Sequence, residues 1–425
     1  MRIDVPWSTG TTPVELPDSR VAGVLSANVG RAEDPAGILR AAVDAPGRSL
    51  KDFLAGAASP LLVVVNDATR PTPSAEVVGL VRGELEAWLA QPGNKLDFAV
   101  ATGTHRVALP EELDRIFGAE VAQAHAGRIH SHNAKATDEL VNLGRTAHGT
   151  DVWVNSLLAQ ANSVILVNSV EPHYYAGYTG GRKSLFPGLA GYETVYANHK
   201  LAMQPGSELL VLEGNPVHDD LMEQLAIGIA GKQLYSIQLV LDGDHHIGFA
   251  AAGDLEESFR RAVAVADKQF VLEIERPCDV VVAVAPHPMD CNFYQANKAI
   301  QGGALALAPR GILILVSECP FGLGENQTLY DMLSAAESAA DAFARANDQE
   351  YKLGIHQVAR VSSLLEWGEI WAVTSLAKEQ ITAMFMRPFA TVQEAVDEAL
   401  VKKGPRARAL FLMESSITVP RVSRS

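Results

Sequence analysis

The sequence has few cysteines and too little positive charge to balance its acids. The 3 cysteines are odd in number and none is part of a CxxC pair, which argues against a disulfide framework and against a cysteine-based zinc site. Lys and Arg number 35 against 50 Asp and Glu, a formal net charge of -15, so most of the surface repels nucleic acid and anionic membranes. A substrate anion would therefore need a local cationic site.

Long hydrophobic runs are also absent. No stretch of about 18 apolar residues occurs, and residues 1–17 contain no apolar core of a signal peptide, so we expect neither a membrane span nor export. Together with the cysteine usage, this predicts a cytoplasmic protein. The 425 residues are 48% hydrophobic and 20% charged, the composition of an ordinary globular chain with the length for two or three domains.

Short runs rich in Val, Ile and Leu alternate with longer amphipathic runs, a pattern typical of α/β layering. The predicted strands are residues 61–65, 95–101, 163–170, 237–241, 279–285, 311–317 and 409–413, and the predicted helices are 74–91, 110–124, 216–230, 255–268, 328–346 and 391–402. The fold class is therefore α/β, with two domains on mostly parallel sheets, residues 1–272 and 273–425, and an active-site cleft between them. Ligands of such sheets bind at the carboxyl ends of strands, so polar segments after strands are the candidate sites.

The segment after the strand at 61–65 carries Asp67, Thr69 and Arg70. A guanidinium at a strand end suits two-pronged binding of a carboxylate or phosphate. The Pro and Ser residues of the same segment are equally typical of a loop that only starts a helix.

The segment after the strand at 95–101 carries Gly103 and His105. Gly103 allows a sharp turn, which presents His105 at the strand end. An imidazole there can act as an acid, a base or a metal ligand, and a structural histidine is the alternative.

The segment 171–184 is the densest cluster. Its glycines free backbone N–H groups to face an anion, while Arg182, Lys183 and Ser184 add positive charge and a hydroxyl, as in a phosphate cradle. The P-loop spacing fails by one position, because Arg182 stands where the second glycine belongs. A glycine-rich turn with an exposed basic pair is the alternative.

The segment 286–298 follows the first strand of the second predicted domain. A helix that starts near Asp290 would place Gln295 and Lys298 on one face, where they could grip a carboxylate, and a solvated helix face is the alternative. His130 and His132 lie in polar stretches and are predicted to be at the surface.

Taken together, six motifs resemble the nickel-dependent lactate racemase family, in order and in spacing, from about residue 60 to about residue 330. They are residues 67–71, 103–106, 171–173 with 180–183, 197–199, 212–216 and 294–298. The resemblance implies an isomerase, a racemase or epimerase of a 2-hydroxy acid, that transfers hydride reversibly to a nickel-pincer nucleotide. This cofactor is a pyridinium mononucleotide that holds nickel through two sulfurs and one ring carbon.

The resemblance also implies roles for individual residues. His199 would be the protein ligand of nickel, Lys183 would be able to form a thioamide link to the cofactor, and His105 and His173 would be the acid/base pair. The residues implied near the cofactor and its phosphate are Asp67, Thr69, Gly177, Thr179, Gly180, Gly181 and Arg182. The residues implied for the substrate are Arg70, Tyr294, Gln295 and Lys298.

The residue types fit this chemistry. One histidine removes the hydroxyl proton while the α-hydrogen leaves as hydride, and the planar 2-oxo acid then accepts hydride on either face. Two histidines are needed, one for each enantiomer. The expected partners are a small 2-hydroxy acid and cofactor-synthesis proteins, without nucleic acid or membrane, and a homo-oligomer is left open. Two alternatives are a phosphoryl-transfer enzyme that uses residues 177–184 and a non-catalytic carrier of the nickel cofactor.

Overall fold

The computed structural model describes residues 1–27, 32–242 and 245–423. The chain divides into two compact units. The first unit comprises Val29–Glu171 and Tyr175–Asp267, and the second comprises Met1–Asn28, Pro172–Tyr174 and Lys268–Ser425. Within the described residues, no helix is both long enough and apolar enough to cross a membrane.

The first unit is built on a six-stranded sheet. Its strands, in spatial order, are Ile247–Gly253, Gln233–Leu241, Ser163–Ser169, Leu61–Asn66, Leu96–Ala101 and Ile129–Ser131. Only the pair of the first two strands is antiparallel. Leu61–Asn66 reads LLVVVN and is buried on both faces up to its last residue, as expected of a central strand covered by helices.

Helices and one hairpin complete the first unit. The helices are Pro35–Val43, Leu50–Gly56, Ser74–Leu89, Pro110–Phe117, Ala119–Ala124, Ser156–Gln160, Tyr192–Lys200 and Pro216–Gly228, and Leu255–Phe270 starts in this unit; the hairpin pairs Leu140–Arg145 with Asp151–Asn155. The single helix predicted at 110–124 is two helices, because Gly118 takes a left-handed φ of 79° and ends the first of them.

The second unit is built on a six-stranded, fully parallel sheet. Its strands, in spatial order, are Arg387–Phe389, Glu369–Val373, Leu307–Val316, Cys278–Val284, Ala409–Leu412 and Val21–Leu25. Its helices are Phe293–Ala296, Lys298–Ala304, Thr328–Ser334, Ala339–Asp348, Ile355–Trp367, Lys378–Ala383 and Val392–Lys403. The hairpin Arg2–Trp7 with Gly10–Glu15 and the parallel pair Val271–Ile274 with Val419–Val422 also belong to it.

The predicted α/β class with mostly parallel sheets is confirmed. The assignment of the first residues to a domain spanning 1–272 differs from the structure, because Val21–Leu25 pairs with Ala409–Leu412 at the edge of the second sheet. The predicted helix at 328–346 is interrupted, since Ser338 caps a new helix by accepting a hydrogen bond from the Asp341 N–H.

Candidate active site

Three neighbouring parallel strands of the first unit end at the same edge of its sheet. They are Ser163–Ser169, Leu61–Asn66 and Leu96–Ala101. The three polar segments predicted from the sequence to follow strands therefore leave the sheet side by side. Parallel strands place their carboxyl ends together, so residues far apart in the sequence meet here.

Asp67 and His105 meet at this edge. The Nδ1 of His105 lies 2.8 Å from Oδ2 of Asp67. Burial opposes the charge of this carboxylate, but the hydrogen bonds from His105 and Thr69 outweigh it and lower the pKa of Asp67 below its ordinary value. An ionised carboxylate can only accept, so Nδ1 of His105 carries a proton, and in the neutral form of this ring the lone pair is on Nε2. The His105 side chain is 35% exposed, which leaves it accessible to a ligand.

Thr69 and Arg70 lie beside this pair. The Thr69 hydroxyl donates to Oδ1 of Asp67 at 2.8 Å, so both carboxylate oxygens are bound within the site. A guanidinium nitrogen of Arg70 lies 3.5 Å from a carboxylate oxygen of Glu171. Asp67 and Thr69 thus hold the His105 ring in place by hydrogen bonding. The resemblance had implied a place near the cofactor phosphate for both residues.

The loop after Ser163–Ser169 is held tightly to the end of that strand. The buried Thr179 hydroxyl donates to the Ser169 carbonyl at 3.1 Å and accepts from the Glu171 N–H at 2.9 Å. Gly177 has a φ of 75°, and a Cβ there would lie 2.3 Å from the Val211 carbonyl oxygen. Only glycine fits this position.

Arg182 is buried inside the first unit and is not part of an exposed basic pair. Its Nη2 donates to the Ala176 carbonyl at 2.7 Å, and its guanidinium lies 5.2 Å from the centre of the Phe259 ring. Its Nε and Nη1 are buried and meet no hydrogen-bond acceptor among the described residues. Burial lowers the pKa of Arg182 to about 9, so the group stays charged at neutral pH.

Tyr175 brings Lys183 and His199 to one place. The Lys183 Nζ lies 5.6 Å from the centre of the Tyr175 ring, and the His199 ring meets the same ring edge-on with centroids 5.3 Å apart. The two residues to which the resemblance gives direct bonds to the cofactor therefore contact one aromatic side chain, although 15 residues separate them in the sequence. The sequence analysis missed Tyr175.

The helix Tyr192–Lys200 carries His199 and is anchored by Asn198, the residue before His199. Asn198 is buried and donates to Oδ2 of Asp220 at 2.9 Å and to the Val217 carbonyl at 3.1 Å. Asp220 is fully buried and accepts three more hydrogen bonds. The donors are Thr146 at 2.6 Å, Thr150 at 3.2 Å and Gln224 at 2.7 Å.

The second unit carries the other predicted site residues. His173 is buried and stacks on Tyr174, with ring centroids 5.1 Å apart and planes 19° apart. Phe293–Ala296 begins after Asn292, three residues later than the sequence predicted, and it ends before Lys298, which begins the next helix. The Lys298 ammonium still donates to Oε1 of Gln295. Tyr294 lies beside Gln295 on the same short helix.

One prediction about the remaining histidines is wrong. His132 is fully buried, and its Nε2 lies 2.9 Å from the Ala190 carbonyl oxygen while its Nδ1 lies 3.2 Å from Asn155 Nδ2. Burial lowers the pKa of His132 in spite of the hydrogen bond to Ala190. The fold buries His132 itself, while its polar neighbours His130, Asn133 and Lys135 stay exposed.

Comparison with known proteins decides the family. A sequence model described as the lactate racemase N-terminal domain matches residues 7–209, and one described as the lactate racemase C-terminal domain matches residues 274–419. The chain belongs to the lactate racemase family. The enzyme class predicted from the sequence, an isomerase that racemises a 2-hydroxy acid, is confirmed by this membership.

Members of the lactate racemase family resemble the chain over nearly its full length. A lactate racemase from Thermoanaerobacterium thermosaccharolyticum is 26% identical over 429 aligned residues, which cover 96% of this chain and 97% of that protein. One from Lactiplantibacillus plantarum is 26% identical with the same coverage. The structure of the T. thermosaccharolyticum lactate racemase apoprotein shares the fold, with a TM-score of 0.89 and 23% identity over 99% of this chain and all of that one.

Proposed function

We propose that this protein interconverts the two enantiomers of a 2-hydroxy acid by reversible hydride transfer, with His105 and His173 as the acid/base pair. The observation that carries this proposal is the hydrogen bond between His105 and the buried, ionised Asp67. It fixes the imidazole as the tautomer whose Nε2 can take a proton from a hydroxyl group. The half-exposed position of His105 leaves this nitrogen open to a substrate.

A nickel-pincer nucleotide fits the residues around Tyr175. When bound, this cofactor supplies the acceptor and donor of hydride. Lys183 and His199 contact the same tyrosine ring, so one mononucleotide could meet both side chains, His199 as a nickel ligand and Lys183 as a covalent anchor. Arg182, whose buried Nε and Nη1 meet no acceptor among the described residues, would add positive charge near its phosphate. The N–H groups of Tyr178, Thr179 and Gly181 in the loop already donate within the protein, to Ala176, Glu171 and Gln238. This arrangement supports the cofactor assignment made from the resemblance.

The substrate carboxylate needs cations because the chain as a whole is acidic. Arg70 and Lys298 are proposed to bind it, with Gln295 and Tyr294 as further contacts. The contact between Lys298 and Gln295 holds the ammonium group in place for this role. Lactate is the substrate named for the two relatives, and we propose lactate or a related small 2-hydroxy acid for this chain. Maturation by cofactor-synthesis proteins and a cytoplasmic location stay predictions.

The decisive experiment is chiral analysis of single-enantiomer, α-deuterated 2-hydroxy acids in ordinary water. The protein is produced together with the cofactor-synthesis proteins, and its nickel content is measured first. Inversion with deuterium retained is the expected result and establishes hydride transfer. Inversion with deuterium lost would mean proton abstraction instead. A nickel-loaded protein that inverts no member of the panel would favour the carrier alternative.

The same assay tests the histidines. His105→Ala and His173→Ala should each abolish inversion in both directions, because each reaction direction uses one histidine as base and the other as acid. Full activity of either variant would refute that assignment. His130→Ala is the matched control, since His130 is exposed and its ring nitrogen lies 3.2 Å from Asp97.

A further inference from the structure

A chain of hydrogen bonds runs through the interior of the second unit next to His173. The Tyr174 hydroxyl lies 3.0 Å from Nε2 of His356, and the Tyr351 hydroxyl lies 2.9 Å from Nδ1 of the same ring. The side-chain amide nitrogen of Gln357 donates to the Tyr174 hydroxyl oxygen at 3.4 Å. His356 and Gln357 are 1% exposed and Tyr351 is 4% exposed, so water does not compete for these groups.

The chemistry of the donors determines which group donates in each of these hydrogen bonds. The Gln357 amide nitrogen can only donate, so the Tyr174 oxygen accepts from it, and the Tyr174 hydroxyl donates to Nε2 of His356. A neutral imidazole that accepts at Nε2 carries its proton at Nδ1, which then donates to the Tyr351 oxygen. Each of these three donors thus meets an acceptor, and the Tyr174 ring is held by its hydroxyl.

His356 must be neutral for this arrangement. Burial, together with the nearby cations Arg360 and Lys298, lowers the pKa of His356 to about 3. Arg360 also lies over the Tyr174 ring, with its guanidinium carbon 5.8 Å from the ring centre. Protonated His356 would present two donors, and Tyr174 would have to give up its own donation.

The rings of this network lie roughly parallel. His173 and Tyr174 are stacked at 19°, and Tyr174 and His356 lie at 28° with centroids 6.0 Å apart. Whatever fixes the Tyr174 ring therefore also fixes the surface on which the His173 imidazole rests. Stacking on an aromatic neighbour favours one orientation of the imidazole ring.

We propose that His356 is a positioning residue for His173: it holds the Tyr174 ring through its hydroxyl group, and the Tyr174 ring holds the His173 imidazole by stacking. His356 touches neither substrate nor cofactor in this role. The inference rests on the proposed function only in so far as His173 is a catalytic residue, because the positioning itself is a property of the protein without cofactor.

The first test reads the His173 imidazole directly in the cofactor-free protein. Nitrogen-15 NMR of histidine-labelled protein gives the pKa of His173, with its resonances assigned by their loss in His173→Gln. His356→Phe keeps a ring but removes both hydrogen bonds, and it should shift the pKa of His173 by about half a unit or more. Tyr351→Phe removes only the hydrogen bond to Nδ1 of His356 and should shift the pKa of His173 in the same direction by a smaller amount. An unchanged pKa of His173 in both folded variants would overturn the proposal.

Tyr235→Phe is the matched control. It also removes a buried tyrosine hydroxyl, which lies 3.2 Å from the Arg48 carbonyl oxygen in the first unit, outside the site. It should lower stability while leaving the pKa of His173 unchanged. An equal shift in this variant would mean that any loss of buried hydrogen bonding moves the value, and would also overturn the proposal.

The second test uses the nickel-loaded enzyme. We expect His356→Phe to lower kcat/KM about tenfold, mainly through kcat, and to displace one limb of its pH profile. The fall must be equal for the two enantiomers, since their free energies are equal. A rise in KM alone would contradict positioning of His173. If the wild-type enzyme inverts no 2-hydroxy acid, the proposed function fails, while the NMR test still decides the role of His356.

Discussion

Asp67 and His105 form a carboxylate–imidazole pair that has an exposed counterpart in the same unit, Asp97 with His130. The nitrogen–oxygen distances are 2.8 and 3.2 Å, but the Asp67 side chain is 9% exposed and the Asp97 side chain 31%. The two pairs have the same chemical groups and differ in burial. Burial strengthens the first pair, because fewer water molecules screen it.

This difference leads to a prediction about the base. Asp67→Asn replaces an obligatory acceptor with a group that can donate to Nδ1 of His105, which favours the tautomer with its proton on Nε2. We expect kcat to fall by about 10²-fold or more. The measurement is kcat for racemisation of the preferred 2-hydroxy acid. Asp97→Asn is the control and should retain activity; equal losses in the two variants would count against a special role of Asp67.

Asp220 supports the helix that carries His199. Asp220→Ala leaves the buried donors of Thr146, Thr150, Asn198 and Gln224 without their acceptor. We expect the free energy of unfolding to fall by about 3 kcal/mol or more. Urea denaturation checks this. Asp219→Ala, at the adjacent and partly exposed position, should change it by less than about 1 kcal/mol, and similar losses in both would contradict the prediction.

The loop glycine Gly177 can be tested against a glycine with the same positive φ. Gly177 and Gly231 both have a φ of 75°, which costs an alanine about 1 kcal/mol. A Cβ at Gly231 meets nothing within 4 Å, whereas at Gly177 it meets the Val211 carbonyl at 2.3 Å. We expect Gly177→Ala to have the lower melting temperature by several degrees in a thermal scan. Equal melting temperatures would show that the loop adjusts at no cost.

Acid should destabilise the protein through its buried histidines. The pKa of His356 and of His218 is lowered to about 3 by burial, while the unfolded chain takes up a proton on each near pH 6.5. Their contribution to stability is therefore complete above about pH 6.5 and is lost as the pH falls toward 3. Each contributes at most about 1.4 kcal/mol per pH unit.

Urea denaturation between pH 7 and 4 measures this slope. In His356→Phe the slope should be smaller than in the wild type, because one proton less is taken up on unfolding. A slope that is unchanged by the substitution would show that His356 is protonated in the folded protein and would contradict a neutral bridging imidazole.

The class of fold and the segments that carry the chemistry could be predicted from the sequence. Apolar runs of strand length recur between helical periods, and each of 66–74, 101–106 and 171–184 follows such a run, so their position at strand ends could be predicted. The motif spacing also pointed to the family. These features depend on residues close together in the chain, whose pattern survives without knowledge of the fold.

Only the tertiary structure decided which of these residues act on each other. The pairing of Asp67 with His105, the contact of Tyr175 with both Lys183 and His199, and the burial of His132 join segments that are separated in the sequence. The strand Val21–Leu25 belongs to the second unit for the same reason, since the partner of a strand depends on sheet geometry and not on neighbouring residues. The local pattern of apolar and polar residues indicates which positions are buried and whether a segment is a helix or a strand. Hydrogen-bond partners depend on distances that exist only after folding.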